Sequence, residues 1–178
     1  MDARAGELVT EQFATADAFL LGRGTYQIFA GYWPRVTDPG DVVAQALNGC
    51  PKYVVSSTLQ ATDWAGTTII AGDVVTGIGE LKEQPGRDLQ VHGSHGLVQT
   101  LIRARLVDEY RVWVFPVVLG TGKRLFDHGT VPTTLELVGS ELTGTGVAVH
   151  TYRPVGLPRH GAFAVSDEGN STSAVPPS

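Results

Sequence analysis

Residues 88–106 read DLQVHGSHGLVQTLIRARL, and this stretch carries three local signals in succession. Residues 88–91 are typical of a short strand, and residues 92–96 are a glycine-rich turn. From residue 97 onward, apolar side chains recur at helical spacing on one face, which predicts a helix over 97–106. In α/β domains, ligands bind beyond the carboxyl ends of the strands, so the turn at 92–96 is a candidate site.

The same alternation of strands and helices continues on both sides of this stretch. Residues 18–21 and 52–55 have the composition of short buried strands, and apolar spacing predicts helices within 6–16 and 42–47. The other predicted elements are strands at 67–70 and 108–115, a helix over 74–81 capped by Asp73, and two antiparallel strands at 135–138 and 147–152. Strands that alternate with helices indicate an α/β domain over residues 1–154.

The composition is that of a globular domain. The 178 residues are 42% apolar and 17% charged, with a formal net charge of −5, which argues against nucleic acid or an anionic membrane as partner. No apolar run is long enough to span a bilayer, no signal peptide is recognisable, and the single cysteine, Cys50, agrees with a reducing compartment. We expect a cytoplasmic protein. Residues 155–178 are rich in Pro, Ser and Gly without periodicity, and we expect a disordered tail.

Three loops that follow predicted strands carry groups suited to an anion. Residues 22–25 combine glycines with an arginine and a threonine, residues 56–58 supply three hydroxyls, and residues 93–96 precede a helix. Each loop alone is more typical of ordinary turn chemistry. Their occurrence after three strands of one domain favours a cofactor that contains phosphate.

The common phosphate-binding fingerprints do not fit. The Gly-x-Gly-x-x-Gly pattern follows none of the strands, which argues against an ordinary dinucleotide site. Residues 120–123 (GTGK) resemble part of a P-loop, but Val117 occupies the place of the first glycine and Arg124 that of the Ser or Thr. We therefore reject a P-loop.

Two other chemistries stay open for the turn at 92–96. The sequence HGSHG is close to the nucleophile elbow of serine hydrolases, but His92 stands where that turn needs glycine. His92 and His95 are also spaced so that they could share a metal ion, although further ligands are not evident. A serine hydrolase and a metal site are thus the alternatives for Ser94 and its neighbours.

Residues 115–126 (FPVVLGTGKRLF) form the most unusual stretch of the chain. A proline interrupts an apolar strand, and a glycine-rich turn with two cations follows. One interpretation is a bulged strand and a solvated turn. The other is a pocket wall that brings Lys123 or Arg124 close to an anionic ligand.

Five segments together resemble the dihydrofolate reductase-like family, and more closely the reductase domain at the C-terminus of the bifunctional riboflavin-biosynthesis deaminase-reductase. They are LGRGTY at 21–26, YVVSSTL at 53–59, GSHGLV at 93–98, LVDEY at 106–110 and PVVLGTGKRLF at 116–126. The resemblance covers roughly residues 7–153, in the right order and at fitting spacings.

The resemblance implies a mixed, mostly parallel sheet flanked by helices, with a C-terminal antiparallel strand pair and NADPH lying across the strand ends. The residues that it assigns to the cofactor are Gly22, Arg23, Gly24, Thr25, Ser56, Ser57, Thr58, Gly93, Ser94, His95, Gly96 and Leu97. The residues that it assigns to the substrate end are Leu119, Gly120 and Gly122.

The start of the chain departs from the family pattern. Family members usually begin with an apolar strand and an Asp-Gly loop, well before the helix that leads into the Gly-Arg motif. Here the sequence begins almost in that helix, and we expect that the reading frame starts further upstream.

Two functions follow from these observations. The first is an NADPH-dependent reductase of a pteridine- or pyrimidine-type heterocycle, such as 5-amino-6-(5-phosphoribosylamino)uracil or dihydrofolate. The second is a catalytically inactive nucleotide-binding or interaction domain that keeps the fold. We assign no proton donor, because Asp17 is more typical of a helix end. The resemblance and the apolar strand around Trp113 also make a homodimer plausible.

Overall fold

The computed structural model describes residues 2–158, 162–165 and 171–174. The helices are α1 (Ala3–Ala14), α2 (Arg23–Ala30), α3 (Val42–Gly49), α4 (Val74–Lys82) and α5 (His95–Arg103), with a 3₁₀ turn at Trp33–Arg35. The strands are β1 (Ala16–Gly22), β2 (Lys52–Val55), β3 (Thr67–Ile70), β4 (Asp88–Val91), β5 (Tyr110–Val114), β6 (Thr134–Leu142), β7 (Ala148–Gly156), β8 (Ala162–Val165) and β9 (Ser171–Ala174).

Four parallel strands form the central sheet, in the order β3-β2-β1-β4. Phe19 of β1 packs on one side of the sheet with Leu47 of α3, and Leu20 packs on the other side with Ile78 of α4 and Leu101 of α5. Strand β1 is therefore covered on both faces, which explains its continuous apolar run. The predicted α/β class, with a parallel sheet flanked by helices, is confirmed.

The C-terminal part forms a separate antiparallel sheet, in the order β5-β7-β6. The sequence predicts an antiparallel pair, and the structure adds a third strand, because β5 pairs with β7 along its whole length. Both β6 and β7 extend over nine residues, and their register shifts between Leu137 and Gly139. This register shift is that of a β-bulge. A bulge interrupts the alternation of apolar and polar residues from which the length of a strand is predicted.

Helix α4 forms as predicted, with the carboxylate of Asp73 accepting hydrogen bonds from the first-turn amides of Val75 and Thr76. Its two glycines weaken the helical signal of the sequence. Packing accounts for one of them, because a Cβ at Gly77 would lie 3.4 Å from Cγ2 of Ile70. The glycine lets the helix approach β3 closely.

The segment beyond the predicted domain boundary at residue 154 is described in part. Strand β7 continues to Gly156, and β8 and β9 pair with each other in antiparallel fashion. The other residues after 158 lie outside the described part of the chain, so the disordered tail stays a prediction there.

Candidate functional site

Two of the three predicted loops meet at the carboxyl edge of the parallel sheet. The backbone N–H of Gly22, at the end of β1, donates a hydrogen bond to Oγ of Ser94, with 2.8 Å between the two atoms. The Ser94 hydroxyl in turn donates to Oγ1 of Thr25, at 2.9 Å. One serine therefore joins the loop after β1 to the loop after β4.

The turn between β4 and α5 has an unusual backbone. Gly93 and Ser94 both adopt left-handed conformations, with φ of 64° and 60°. Such values are uncommon for a residue other than glycine. A Cβ at Gly93 would lie 3.4 Å from Oγ1 of Thr25, so glycine leaves space where the two loops approach each other. The turn thereby directs the Ser94 hydroxyl toward Gly22.

Replacing Ser94 with alanine is expected to lower the free energy of unfolding by about 1–2 kcal/mol, because the N–H of Gly22 loses its acceptor. Urea denaturation measures this change through the transition midpoint. The exposed hydroxyl of Ser57 provides the control, and S57A is expected to change the free energy by less than about 0.5 kcal/mol. Equal effects of the two substitutions would contradict a joining role for Ser94.

The loop after β2 contacts the start of α2. Nη1 of Arg23 donates to Oγ1 of Thr58, at 2.6 Å. Oγ of Ser56 accepts hydrogen bonds from the backbone N–H groups of Thr58 and Leu59, so it shapes the loop itself. A cavity of about 380 Å³ lies beside these residues, and it is lined by Arg23, Ser56, Ser57, Thr58, Gly72 and Val74 among others.

Arg23 carries a positive charge at this cavity, and no carboxylate of the described residues pairs with it. Within the described part of the chain it takes part in no ion pair. Hydroxyl groups and the amino ends of α2 and α5 lie at the same edge of the sheet. This combination of an arginine, hydroxyls and helix N-termini can bind a phosphate group.

The predicted substrate segment is held against α5. Nε2 of His95 lies 3.1 Å from the carbonyl oxygen of Arg124, and Nε2 of Gln99 donates to the carbonyl oxygen of Leu125 at 2.8 Å. Leu119 is 81% exposed, and Gly120 and Gly122 have positive φ values. The glycine-rich segment thus ends at a point anchored beside the turn at 93–96.

Gln99 is a positioning residue that the sequence analysis did not identify. Its side chain is buried in helix α5, where it bonds the backbone of the loop that follows β5. The available signal was a long polar residue among the apolar residues of α5, because a buried amide needs hydrogen-bond partners. Which backbone it would bond depends on the tertiary structure.

Comparison with known proteins identifies the family. Residues 1–149 match the family described as the RibD C-terminal domain. The chain belongs to this family. The finding confirms the resemblance to the reductase domain of the riboflavin-biosynthesis deaminase-reductase that the five sequence segments indicate.

Two Bacillus subtilis (strain 168) proteins are similar in sequence. The chain is 31% identical over 138 residues to "Uncharacterized protein YyaP". The aligned region covers 76% of this chain and 73% of that relative. The chain is 28% identical over 141 residues to "Uncharacterized protein YwjB". Here the aligned region covers 79% of this chain and 76% of the relative.

Solved structures with the same fold carry reductase or riboflavin-biosynthesis names. A putative riboflavin biosynthesis protein from Shewanella sp. PV-4 matches with a TM-score of 0.67 and 20% identity, over 87% of this chain and 81% of its own. A pyrimidine reductase-like protein from Corynebacterium diphtheriae matches with a TM-score of 0.64 and 14% identity, over 87% and 82%. At these identities the likeness establishes the fold.

Three further predicted site residues have clear surroundings. Gly24 and Gly96 have open space where a Cβ would stand, so the backbone is accessible there. Leu97 is buried in the core between the sheet and α5, and its Cβ lies 3.8 Å from the position of a Cβ on Gly22. Leu97 therefore supports the glycine-rich turn from below.

In the described residues, the side chains around the turn at 92–96 are not arranged as a serine-hydrolase site or as a metal site. The His92 ring stacks on Phe13 with 4.7 Å between ring centroids and bonds Gln90, while His95 contacts the loop at Arg124. Neither histidine is a hydrogen-bond partner of Ser94. No group of three or more His, Cys, Asp or Glu side chains comes together as a metal site within the described residues.

Asp17 lies away from the carboxyl edge of the sheet. Its carboxylate accepts hydrogen bonds from the backbone N–H and from Nε of Arg87, the latter at 2.9 Å. These bonds hold the pKa of Asp17 below its usual range. Asp17 consequently serves as an ionised partner of Arg87.

Among the described helices, none has the length and apolar character needed to cross a bilayer.

Proposed function

We propose that this chain is an NADPH-dependent reductase of a pyrimidine- or pteridine-type heterocycle. The observation that carries the proposal is the convergence of three strand-end loops around Arg23, with Ser94 joining two of them and Thr58 contributing the third. Membership of the RibD C-terminal domain family and the reductase names of its structural neighbours support the same function.

The residues present fit a phosphate-bearing dinucleotide. Arg23, Ser57 and Thr58 line one cavity and supply a cation and hydroxyl donors for a phosphate. Gly93 permits close approach of the backbone next to the N-terminus of α5. When bound, the reduced nicotinamide supplies a hydride to the heterocycle. This chain's own residues would bind the polyanion and orient it along the sheet edge.

The proposed substrate end is the segment that contains Leu119, Gly120 and Gly122. It lies just before residues 124–125, where Gln99 and His95 hold the backbone. Exposed backbone and an exposed leucine suit contacts with the edge and face of a planar heterocycle. The anchored end keeps this segment next to the glycine-rich turn.

Replacing Arg23 with alanine is expected to weaken NADPH binding by roughly 10- to 100-fold, the equivalent of a lost charge-assisted hydrogen bond of about 1.5–3 kcal/mol. A fluorescence titration with NADPH measures the dissociation constant, and NADH serves as the comparison nucleotide. Arg103, which is exposed near the end of α5, provides the matched control, and R103A is expected to leave NADPH affinity unchanged. Unchanged NADPH affinity in R23A would contradict this placement of the cofactor.

The second candidate is a nucleotide-binding domain without catalysis. One observation favours it. Asp17, the carboxylate considered as a proton donor, forms an ion pair with Arg87. The two candidates differ in one result. Tight NADPH binding, with no oxidation of NADPH in the presence of pyrimidine and pteridine substrates, would select the second.

We further propose that the chain forms a homodimer and acts in the cytoplasm. Val114, Leu137 and Leu142 are exposed, and the strand register places them on one face of the antiparallel sheet. Trp113 points to the opposite face and is half-buried in the single chain. Sedimentation analysis of the purified protein would test the assembly.

A further inference from the structure

Two hydrogen bonds hold the loop between β2 and β3 to helix α2. The first is the exposed bond from Nη1 of Arg23 to Oγ1 of Thr58. In the second, the backbone N–H of Asp63 donates to the hydroxyl oxygen of Tyr26, with 3.3 Å between the two atoms. Arg23 and Tyr26 are three residues apart on α2, so their side chains lie on the same side of the helix. One side of α2 is therefore bonded to the loop at two points.

Tyr26 makes the less exposed of these two bonds. Its side chain is only 3% exposed and belongs to the core cluster that contains Phe19 and Leu47. Its ring centroid lies 6.4 Å from that of Trp64, the residue that follows Asp63. Because packing in the core fixes the ring, the hydroxyl of Tyr26 offers its oxygen to the loop at a fixed position.

Trp64 fixes the loop from the side of α3. Nε1 of Trp64 donates to Oδ1 of Asn48 in α3, at 2.9 Å, and the ammonium group of Lys52 lies 4.7 Å from the centre of the Trp64 ring. These contacts anchor the far end of the loop to α3. The distance between the loop and α2 depends instead on the bonds made by Arg23 and Tyr26.

A phosphate in the cavity beside Arg23 would compete for one of these two bonds. The guanidinium donates to the neutral hydroxyl of Thr58 in the structure, and a phosphate oxygen is a stronger acceptor. Arg23 and Thr58 both line the cavity, whereas Tyr26 and Asp63 do not. A ligand there would therefore leave the bond between Tyr26 and Asp63 intact while it draws Arg23 away from the loop.

We propose that Tyr26 is a positioning residue for the nucleotide, which keeps the hydroxyl groups of the loop opposite Arg23 when a phosphate occupies the cavity. This role rests on the proposed function, because it takes the phosphate at Arg23 to be the one that NADPH has and NADH lacks. Tyr26 acts through the loop and has no contact with the ligand itself. Loss of its hydroxyl should therefore weaken the binding of NADPH more than that of NADH.

The variant Y26F tests this role, because it removes the hydroxyl oxygen and keeps the ring in the core. Fluorescence titration of the full chain is expected to show a dissociation constant for NADPH that is raised about three- to tenfold, as for one lost hydrogen bond. The constant for NADH should change by less than about twofold. Tyr32 lies just beyond α2 and is 60% exposed, so Y32F is the matched control and should leave both constants unchanged.

Two results of this titration would overturn the proposal. One is an equal weakening of NADPH and NADH by Y26F, which would indicate a general structural effect. The other is an NADPH affinity that Y26F leaves unchanged. That result would contradict only the role of Tyr26, whereas an original protein that binds no NADPH would contradict the proposed function and this role together.

Combining Y26F with R23A tests whether Tyr26 acts through the phosphate site. If it does, Y26F should raise the NADPH dissociation constant of R23A by less than about twofold, because the cation opposite the loop is already absent. Effects that multiply fully would overturn the proposal. Amide hydrogen exchange of a fragment covering 58–64, measured without nucleotide, should be faster in Y26F than in the original protein. Unchanged exchange would show that Tyr26 does not hold the loop.

Discussion

Replacing Lys52 with methionine is expected to lower the free energy of unfolding by about 3 kcal/mol. The Lys52 side chain is fully buried, and its ammonium group donates to the carbonyl oxygens of Leu47 and Cys50, each at 2.8 Å. It also lies 4.7 Å from the centre of the Trp64 ring. Methionine preserves the length of the side chain but leaves these carbonyl groups without a donor, at a cost of about 1–3 kcal/mol for each buried group.

Lys82 provides the matched control for this substitution. Its ammonium group also donates to a backbone carbonyl, that of Leu106, at 2.8 Å, and it pairs with Asp108. Its side chain is 25% exposed, however, and Asp108 is largely exposed, so water can replace the lost contacts. Urea denaturation should show a loss of about 1 kcal/mol or less for K82M. A loss for K52M no larger than that for K82M would contradict the role of Lys52 as the donor to the carbonyl groups of Leu47 and Cys50.

Lowering the pH from 7 to 5 is expected to remove about 2 kcal/mol of stability through His92. Burial, together with the positive charge of Arg111, lowers the pKa of His92 to about 4. The unfolded chain binds a proton near the ordinary pKa of 6.5, whereas the folded chain resists it. The folded state therefore loses stability as the pH falls from 6.5 toward 4.

The variant H92F isolates this effect. Phenylalanine can keep the stacking on Phe13 but does not titrate, so between pH 7 and pH 5 the original protein should lose about 2 kcal/mol of unfolding free energy relative to the variant. The exposed His128 provides the control, and H128N should retain the original pH dependence. A pH dependence that is identical with and without His92 would show that another group is responsible.

Local signals in the sequence predicted most of the helices and strands. Strand β2 begins and ends where predicted, and Asp73 caps α4, because a strand composition and an N-cap each depend on a few adjacent residues. A strand was predicted at β5, but its place in the antiparallel sheet and the lengths of β6 and β7 were not. Their pairing depends on partners distant in sequence and on a bulge near Leu137.

The candidate site was predictable as a set of loops but not as a set of contacts. The position of residues 22–25, 56–58 and 93–96 after strands indicated one edge of the sheet, and the structure places Gly22, Thr25 and Ser94 within hydrogen-bond distance there. Their cofactor role stays a prediction, as does the substrate role of Leu119. Gln99 was missed because its partner is the backbone of a loop that has no regular pattern.

The amino-acid sequence by itself determined the order of most elements, the α/β class and the family, because each depends on short-range periodicity or on motifs that can be read in order. Only the tertiary structure decided which polar groups meet. The buried Lys52 donates to the carbonyl group of Leu47, and Ser94 joins two loops. These relations join residues far apart in the chain or depend on how elements pack, and sequence periodicity carries no information about such distances.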